Sequence, residues 1–170
     1  MLEAERTDRA AEDGRGDFDF VFGRWHIANR KKINTVIEGD TEWVEFDAEG
    51  EARPILGGFG NVDTYQAPDF PGRPGFEGFT LRLFEPETGL WRIWWASTIG
   101  GGALDEPVAG RFEDGTGRFE CDDVVQGVPV RVRYDWTIKS SDSLLWEQSF
   151  SFDGGATWDK NWIMESTRIE

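Results

Sequence analysis

The sequence predicts an all-β protein: an up-and-down antiparallel barrel of about ten strands, preceded by a short helical turn. Two observations carry this expectation. From Phe18 onward the chain runs in short segments with period-two alternation, separated by turns that carry Gly, Asp or Pro. No stretch after residue 23 sustains an apolar period of 3.6. Ten consecutive antiparallel strands in an open sheet leave two unpaired edges, and closing the sheet removes them. A two-sheet sandwich would need long crossovers, for which the spacing leaves no room.

The chain divides into residues 1–17 and a single domain over 18–170. The first segment is polar and acidic and reads as a tail or a short surface helix, with a helix over one barrel mouth as the sharper alternative. It lacks the apolar stretch of a signal peptide. Strands are expected over 24–35, 41–53, 59–66, 77–85, 90–98, 107–113, 117–124, 129–138, 144–152 and 158–168. Between them, Glu38-Gly39-Asp40, Pro86-Glu87-Thr88-Gly89, Asp114-Gly115-Thr116-Gly117 and Gln126-Gly127 place residues suited to positive or fixed φ. Two longer irregular loops are expected, at 70–75 and from Gly100-Gly101-Gly102 to Pro107.

Composition narrows the partners. Thirty-three acidic against 18 basic residues give a net charge of −15, which argues against nucleic acid and anionic membrane surfaces. No segment approaches the roughly 18 apolar residues of a membrane helix. Cys121 is the single cysteine, so no internal disulfide forms, and a reducing cytoplasm is the expected location. His26 is the single histidine, which removes a His-rich metal site. The excess is aromatic: nine Trp, 13 Phe and two Tyr in an otherwise polar chain.

Phe18-Asp19-Phe20-Val21-Phe22 leads into Gly23-Arg24-Trp25, and Arg168 stands near the end of the last strand. This resembles the lipocalin and wider calycin pattern. The resemblance implies that Gly23 and Trp25 open the first strand and that Arg168 packs across the Trp25 indole, closing the barrel floor. Residues 18–168 also resemble a family of uncharacterised bacterial proteins of domain-of-unknown-function type. That likeness rests on Asp19-Phe20-Val21-Phe22-Gly23-Arg24-Trp25, Gly57-Gly58-Phe59-Gly60-Asn61-Val62-Asp63, Gly78-Phe79-Thr80-Leu81-Arg82-Leu83-Phe84 and Asn161-Trp162-Ile163-Met164. It implies a lipocalin-like barrel and brings no catalytic residues with it.

Other motifs read as structure. Ser151-Phe152-Asp153-Gly154-Gly155-Ala156-Thr157-Trp158 matches the Asp-box hairpin known from sialidase propellers. Here Asp153 would accept backbone N–H bonds across the turn, Gly155 would take positive φ and Trp158 would pack beneath. One copy in 170 residues does not make a propeller, so a sialidase is excluded. Gly57-Gly58-Phe59-Gly60 lacks the helix and the Gly-Lys-Ser/Thr of a phosphate loop. Glu120, Asp122 and Asp123 read as a solvated acidic edge, and Cys121 as a packing cysteine whose acidic neighbours disfavour a thiolate. His26 follows Trp25 and so points outward if Trp25 points in. No metal and no cofactor is assigned.

Function is sought inside the barrel. Strand parity places Trp95, Tyr134, Trp136, Trp146, Gln148 and Trp162 inward with Asn29, and Asn61 and Asp63 join them as polar groups among aromatic ones. An apolar cavity with a few fixed polar groups is the usual form of a small-molecule site. The leading expectation is therefore a barrel that binds a small apolar or aromatic ligand through these nine residues. One alternative is an enzyme using carboxylates such as Glu45, Asp63 or Glu147 as general acid or base, although no spacing selects a catalytic pair. The other is an interaction protein with a filled barrel, in which Phe46, Phe84 and Trp94 build an exposed patch and a homodimer.

Overall fold

The computed structural model describes residues 14–169. Its first five strands are β1 (Gly23–Lys32), β2 (Trp43–Ile55), β3 (Gly60–Ala67), β4 (Phe76–Glu85) and β5 (Leu90–Ser97). The chain continues through β6 (Val108–Glu113), β7 (Thr116–Val125), β8 (Val128–Ser140), β9 (Ser143–Ser151) and β10 (Asp159–Arg168). Each strand pairs antiparallel with its sequence neighbour, and β10 returns to pair with β1, so the barrel is closed. All ten expected strands are present. Of the segment 1–17, residues 1–13 lie outside the described residues, and residues 14–17 form a turn. The helical turn before β1 is a single 3₁₀ turn, Asp19–Val21.

Turn chemistry fixes the hairpins. Asp114 and Gly115 have φ of 52° and 78°, and Gln126 and Gln126's neighbour Gly127 have φ of 49° and 78°. Positive φ at both central residues is the turn whose twist matches flanking antiparallel strands.

One end of the barrel is a packed floor. Phe18 is fully buried and meets Trp91 and Phe112 edge-on, with ring centroids 5.0 and 4.9 Å apart. Trp91 donates its Nε1–H to the Gly14 carbonyl at 3.0 Å, which ties the start of the described chain to this cluster. Each buried ring contributes about 2–3 kcal/mol from area alone. The floor is closed by Arg168, which lies opposite Trp25 in the β1–β10 register. Its guanidinium carbon sits 4.2 Å from the Trp25 ring. It also donates to the carbonyls of Phe22 (2.5 Å), Phe20 (3.1 Å) and Ser141 (3.0 Å).

At the other end, loops cover part of the mouth. Lys32, on the outer face of β1, is buried, and its Nζ meets Asp159 Oδ1 at 2.6 Å and lies 5.6 Å from the Trp43 ring. The Gly39 amide donates to the other Asp159 oxygen at 3.1 Å. In the 152–158 hairpin, Asp153 accepts from Ser151 Oγ (2.7 Å), from the Thr157 amide (2.9 Å) and from Thr157 Oγ1 (2.5 Å). Gly154 and Gly155 take φ of 73° and 99°. Trp158 lies 3.6 Å beneath the Arg133 guanidinium.

Two expectations about faces are corrected. Phe46 and Phe84 are buried inside, not exposed. Burial on β4 follows Phe76, Gly78, Thr80, Arg82 and Phe84, although the opposite face carries Phe79, Leu81 and Leu83. On β2 the inner set is Phe46, Ala48, Gly50 and Ala52. Ala48, Gly50 and Ala52 are small where β1 fills the space: a Cβ on Gly50 would lie 3.2 Å from Ile27 Cδ1. Of the three residues expected to build an outer patch, only Trp94 remains on the outer face.

Candidate functional site

The barrel holds a cavity of about 280 Å³, near the lower end of the range for small-molecule sites. Aromatic rings make most of its wall. Tyr65 meets Trp95 and Trp162 edge-on at 5.8 and 6.4 Å, and Trp146 meets Trp162 at 5.7 Å and Tyr134 at 5.0 Å. Trp95 can lie across β4 because Gly78 has no side chain. A Cβ there would sit 2.1 Å from Trp95 Cη2.

The structure places seven of the nine expected ligand contacts on the cavity wall: Asp63, Trp95, Tyr134, Trp136, Trp146, Gln148 and Trp162. Asn29 and Asn61 stand behind it. Asn29 is buried, and its Oδ1 accepts from Tyr65 Oη at 2.8 Å and from Trp162 Nε1 at 3.1 Å. Its Nδ2 donates to the Ile27 carbonyl at 3.2 Å. Asn29 therefore orients two aromatic walls. Gln148 donates to Asn161 Oδ1 at 2.8 Å, which fixes the Gln148 amide on the wall.

At the floor side stands a charged pair. Arg82 is buried, projects inward from β4 and donates through Nη2 to Asp63 Oδ2 at 2.5 Å and through Nη1 to Asn61 Oδ1 at 2.8 Å. Its guanidinium carbon lies 5.1 Å from the Phe18 ring and 5.4 Å from the Trp136 ring. Arg82 Nε, Asn61 Nδ2 and Trp136 Nε1 are buried without a hydrogen-bond partner. Both Arg82 and Asp63 reach the cavity. Asp63 presents more of itself, with 19% of its side chain accessible against 4% for Arg82.

The mouth side is acidic. Asp105 and Asp123 line the cavity beside Cys121. Burial raises the Asp105 pKa, and the Asp123 charge adds to the effect. Burial pushes the Cys121 thiol up to about 12, with Asp123, Glu106, Asp122 and Asp105 adding to the rise. Cys121 is thus a half-buried wall residue, and its thiol stays protonated at neutral pH. The acidic edge is corrected too: Asp123 faces inward, whereas Asp122 pairs with Arg131 at 3.0 Å and Glu120 with Arg133 at 2.6 Å. Burial raises the Tyr134 pKa and lowers that of Lys31, which also lines the cavity.

Of the carboxylates considered for acid–base chemistry, Asp63 alone reaches the cavity. Glu45 lies 3.8 Å from Arg30 with its side chain 80% exposed, and Glu147 pairs with Lys160 on the outer face. His26 points outward, 3.2 Å from Asp47. Among the described residues, no group of three or more His, Cys, Asp or Glu side chains is arranged to hold a metal ion. No helix among them is long and apolar enough to cross a membrane.

No family model matches the chain, and no curated protein does. Among solved structures, the S-type phycobiliprotein lyase from Guillardia theta is similar, with a TM-score of 0.63 over 94% of this chain and 97% of that one. The fold is a lipocalin-like barrel. At 9% sequence identity the likeness carries the fold and no site residue.

Sequence reasoning missed Tyr65, Arg82, Asp105 and Asp123 on the wall. Tyr65 shares the parity of Asn61 and Asp63 on β3, so the signal for it was present. For Arg82 the signal was indirect: a buried Asn61 and Asp63 need a hydrogen-bonding partner.

Proposed function

We propose that the protein binds a small, mostly apolar or aromatic molecule inside the barrel. The cavity of about 280 Å³ walled by Trp95, Trp146, Trp162 and Tyr65 carries this reading. An apolar cavity of about 150 Å³ holds one benzene ring, so this one suits about two fused rings. The barrel's likeness in fold to a phycobiliprotein lyase is consistent with small-molecule binding.

Naphthalene titration followed by tryptophan emission tests the proposal. Saturable quenching is expected in the wild type. In Ser166→Phe, which adds a ring to a wall position, binding should weaken at least about ten-fold by loss of space. Absence of any saturable change with naphthalene or indole, or equal binding by the filled variant, would overturn it.

A further inference from the structure

We propose that the ligand is a neutral, planar heteroaromatic molecule bearing a lactam edge, an N–H beside a C=O, and that Asp63 and Arg82 read that edge. The inference rests on the small-molecule reading above and names the class of ligand.

Asp63 and Arg82 stand side by side at the cavity, joined through a single N–H···O contact of 2.5 Å. That contact uses Asp63 Oδ2, and Oδ1 takes no part in it. Each terminal nitrogen of Arg82 carries a second N–H beyond its bond to Asn61 or Asp63. The pair therefore offers an acceptor next to donors. A lactam carries the complementary order, N–H for the carboxylate oxygen and C=O for the guanidinium. A group with acceptors alone would bring no donor to the second Asp63 oxygen.

Charge decides against an anionic ligand. The side chains of Asp63, Asp105 and Asp123 face the same cavity as Arg82 and Lys31. Asp63 already offsets Arg82, and burial disfavours the charged form of Lys31. An added carboxylate would meet uncompensated like charge at close range and low dielectric. A neutral amide edge avoids that cost. Flatness follows from the aromatic walls, which accept a ring edge-on or stacked.

The test compares four probes on one fused bicyclic frame by calorimetry on the full chain: naphthalene, quinolin-2(1H)-one, 1-methylquinolin-2-one and 2-naphthoate. The lactam should bind about ten-fold or more tightly than naphthalene, because a site built to hydrogen-bond rejects an analogue that cannot. The N-methyl probe should lose most of that preference, and naphthoate should bind more weakly than the lactam. The double variant Asp63→Leu/Arg82→Met replaces the ion pair as a unit by apolar groups, a change that buried pairs often tolerate. Its ratio of lactam to naphthalene affinity should fall to within about three-fold of one. Should the variant not fold, the N-methyl comparison on the wild type still decides. Naphthalene binding with no lactam preference, or tightest binding by naphthoate, would overturn this inference and leave the proposed function standing. Binding of no probe would remove both.

Discussion

Arg168→Ala should open the barrel floor at its seam. The substitution removes a cation 4.2 Å from the Trp25 ring and three N–H bonds to the carbonyls of Phe22, Phe20 and Ser141. A hydrogen bond to a charged group contributes about 1.5–3 kcal/mol when isolated. The Arg168 side chain is 24% accessible, so water replaces part of each bond, and bonds from one side chain do not add. Taking about 1 kcal/mol per bond and about 0.5–1 kcal/mol for the cation over the indole gives a loss of roughly 3–4 kcal/mol. The exposed ion pair with Asp142 at 3.3 Å adds nothing measurable. Arg168→Lys can satisfy one carbonyl and keep its charge near the ring, so about 2 kcal/mol should be lost. Urea unfolding followed by tryptophan emission measures both, as a lower midpoint with the slope unchanged. An alanine variant within about 1 kcal/mol of wild type, or a lysine variant equal to it, would refute the assignment of Arg168 as the closing residue.

Two other predictions concern titration. The Asp153 carboxylate is held at about 2, below its ordinary 3.8, chiefly by the Thr157 hydroxyl, then by the Thr157 amide and the Ser151 hydroxyl. A depressed carboxylate stabilises the fold above its unfolded pKa, and the contribution fades as pH falls through about 4 toward 2. The urea midpoint of the wild type should therefore drop more between pH 4 and 2 than that of Asp153→Asn; parallel curves would show that the Asp-box bonds are not coupled to folding. Cys121, with its thiol pushed up to about 12, should react with iodoacetamide at pH 8 much more slowly in the native protein than in urea. Equal rates would mean that neither burial nor the carboxylates suppress the thiolate.

Strand order, hairpin turns and barrel closure were legible because each depends on local chemistry. Period-two alternation marks a strand wherever it lies, and paired positive-φ turns such as Asp114-Gly115 hold their hairpins without help from the core. Which face of a strand points inward is not local. On β4 the more apolar face, Phe79, Leu81 and Leu83, looks outward, with Phe79 39% exposed. Two contacts set the inner face: Trp95 occupies the space over Gly78, and Arg82 bonds to Asp63 and Asn61. A rule that sends the larger apolar set inward fails where a strand faces a cavity with a polar end. The same rule succeeds on β8 and β9, where Trp136 and Trp146 face one another in register.

That failure bears on function. A buried ion pair is weak evidence for stability, since an apolar pair of similar volume often serves the fold as well or better. Arg82 and Asp63 stand where leucine or methionine could complete the aromatic floor, beside Phe18 and Trp136. Nothing in the barrel's closure requires them, because Trp25 and Arg168 perform that task at another point of the floor. Asn29 supplies the contrast. It is as deeply buried, but its bonds hold Tyr65 and Trp162 in place, so its role ends at the wall. The Arg82–Asp63 pair differs: it lines the cavity, and its single mutual contact engages one of the two Asp63 carboxylate oxygens. A polar group whose bonding is finished by the protein reads as structure, and one left open toward a cavity reads as half of an interaction. By that criterion the proposed ligand selectivity rests on the floor-side pair more than on the tryptophans of the wall.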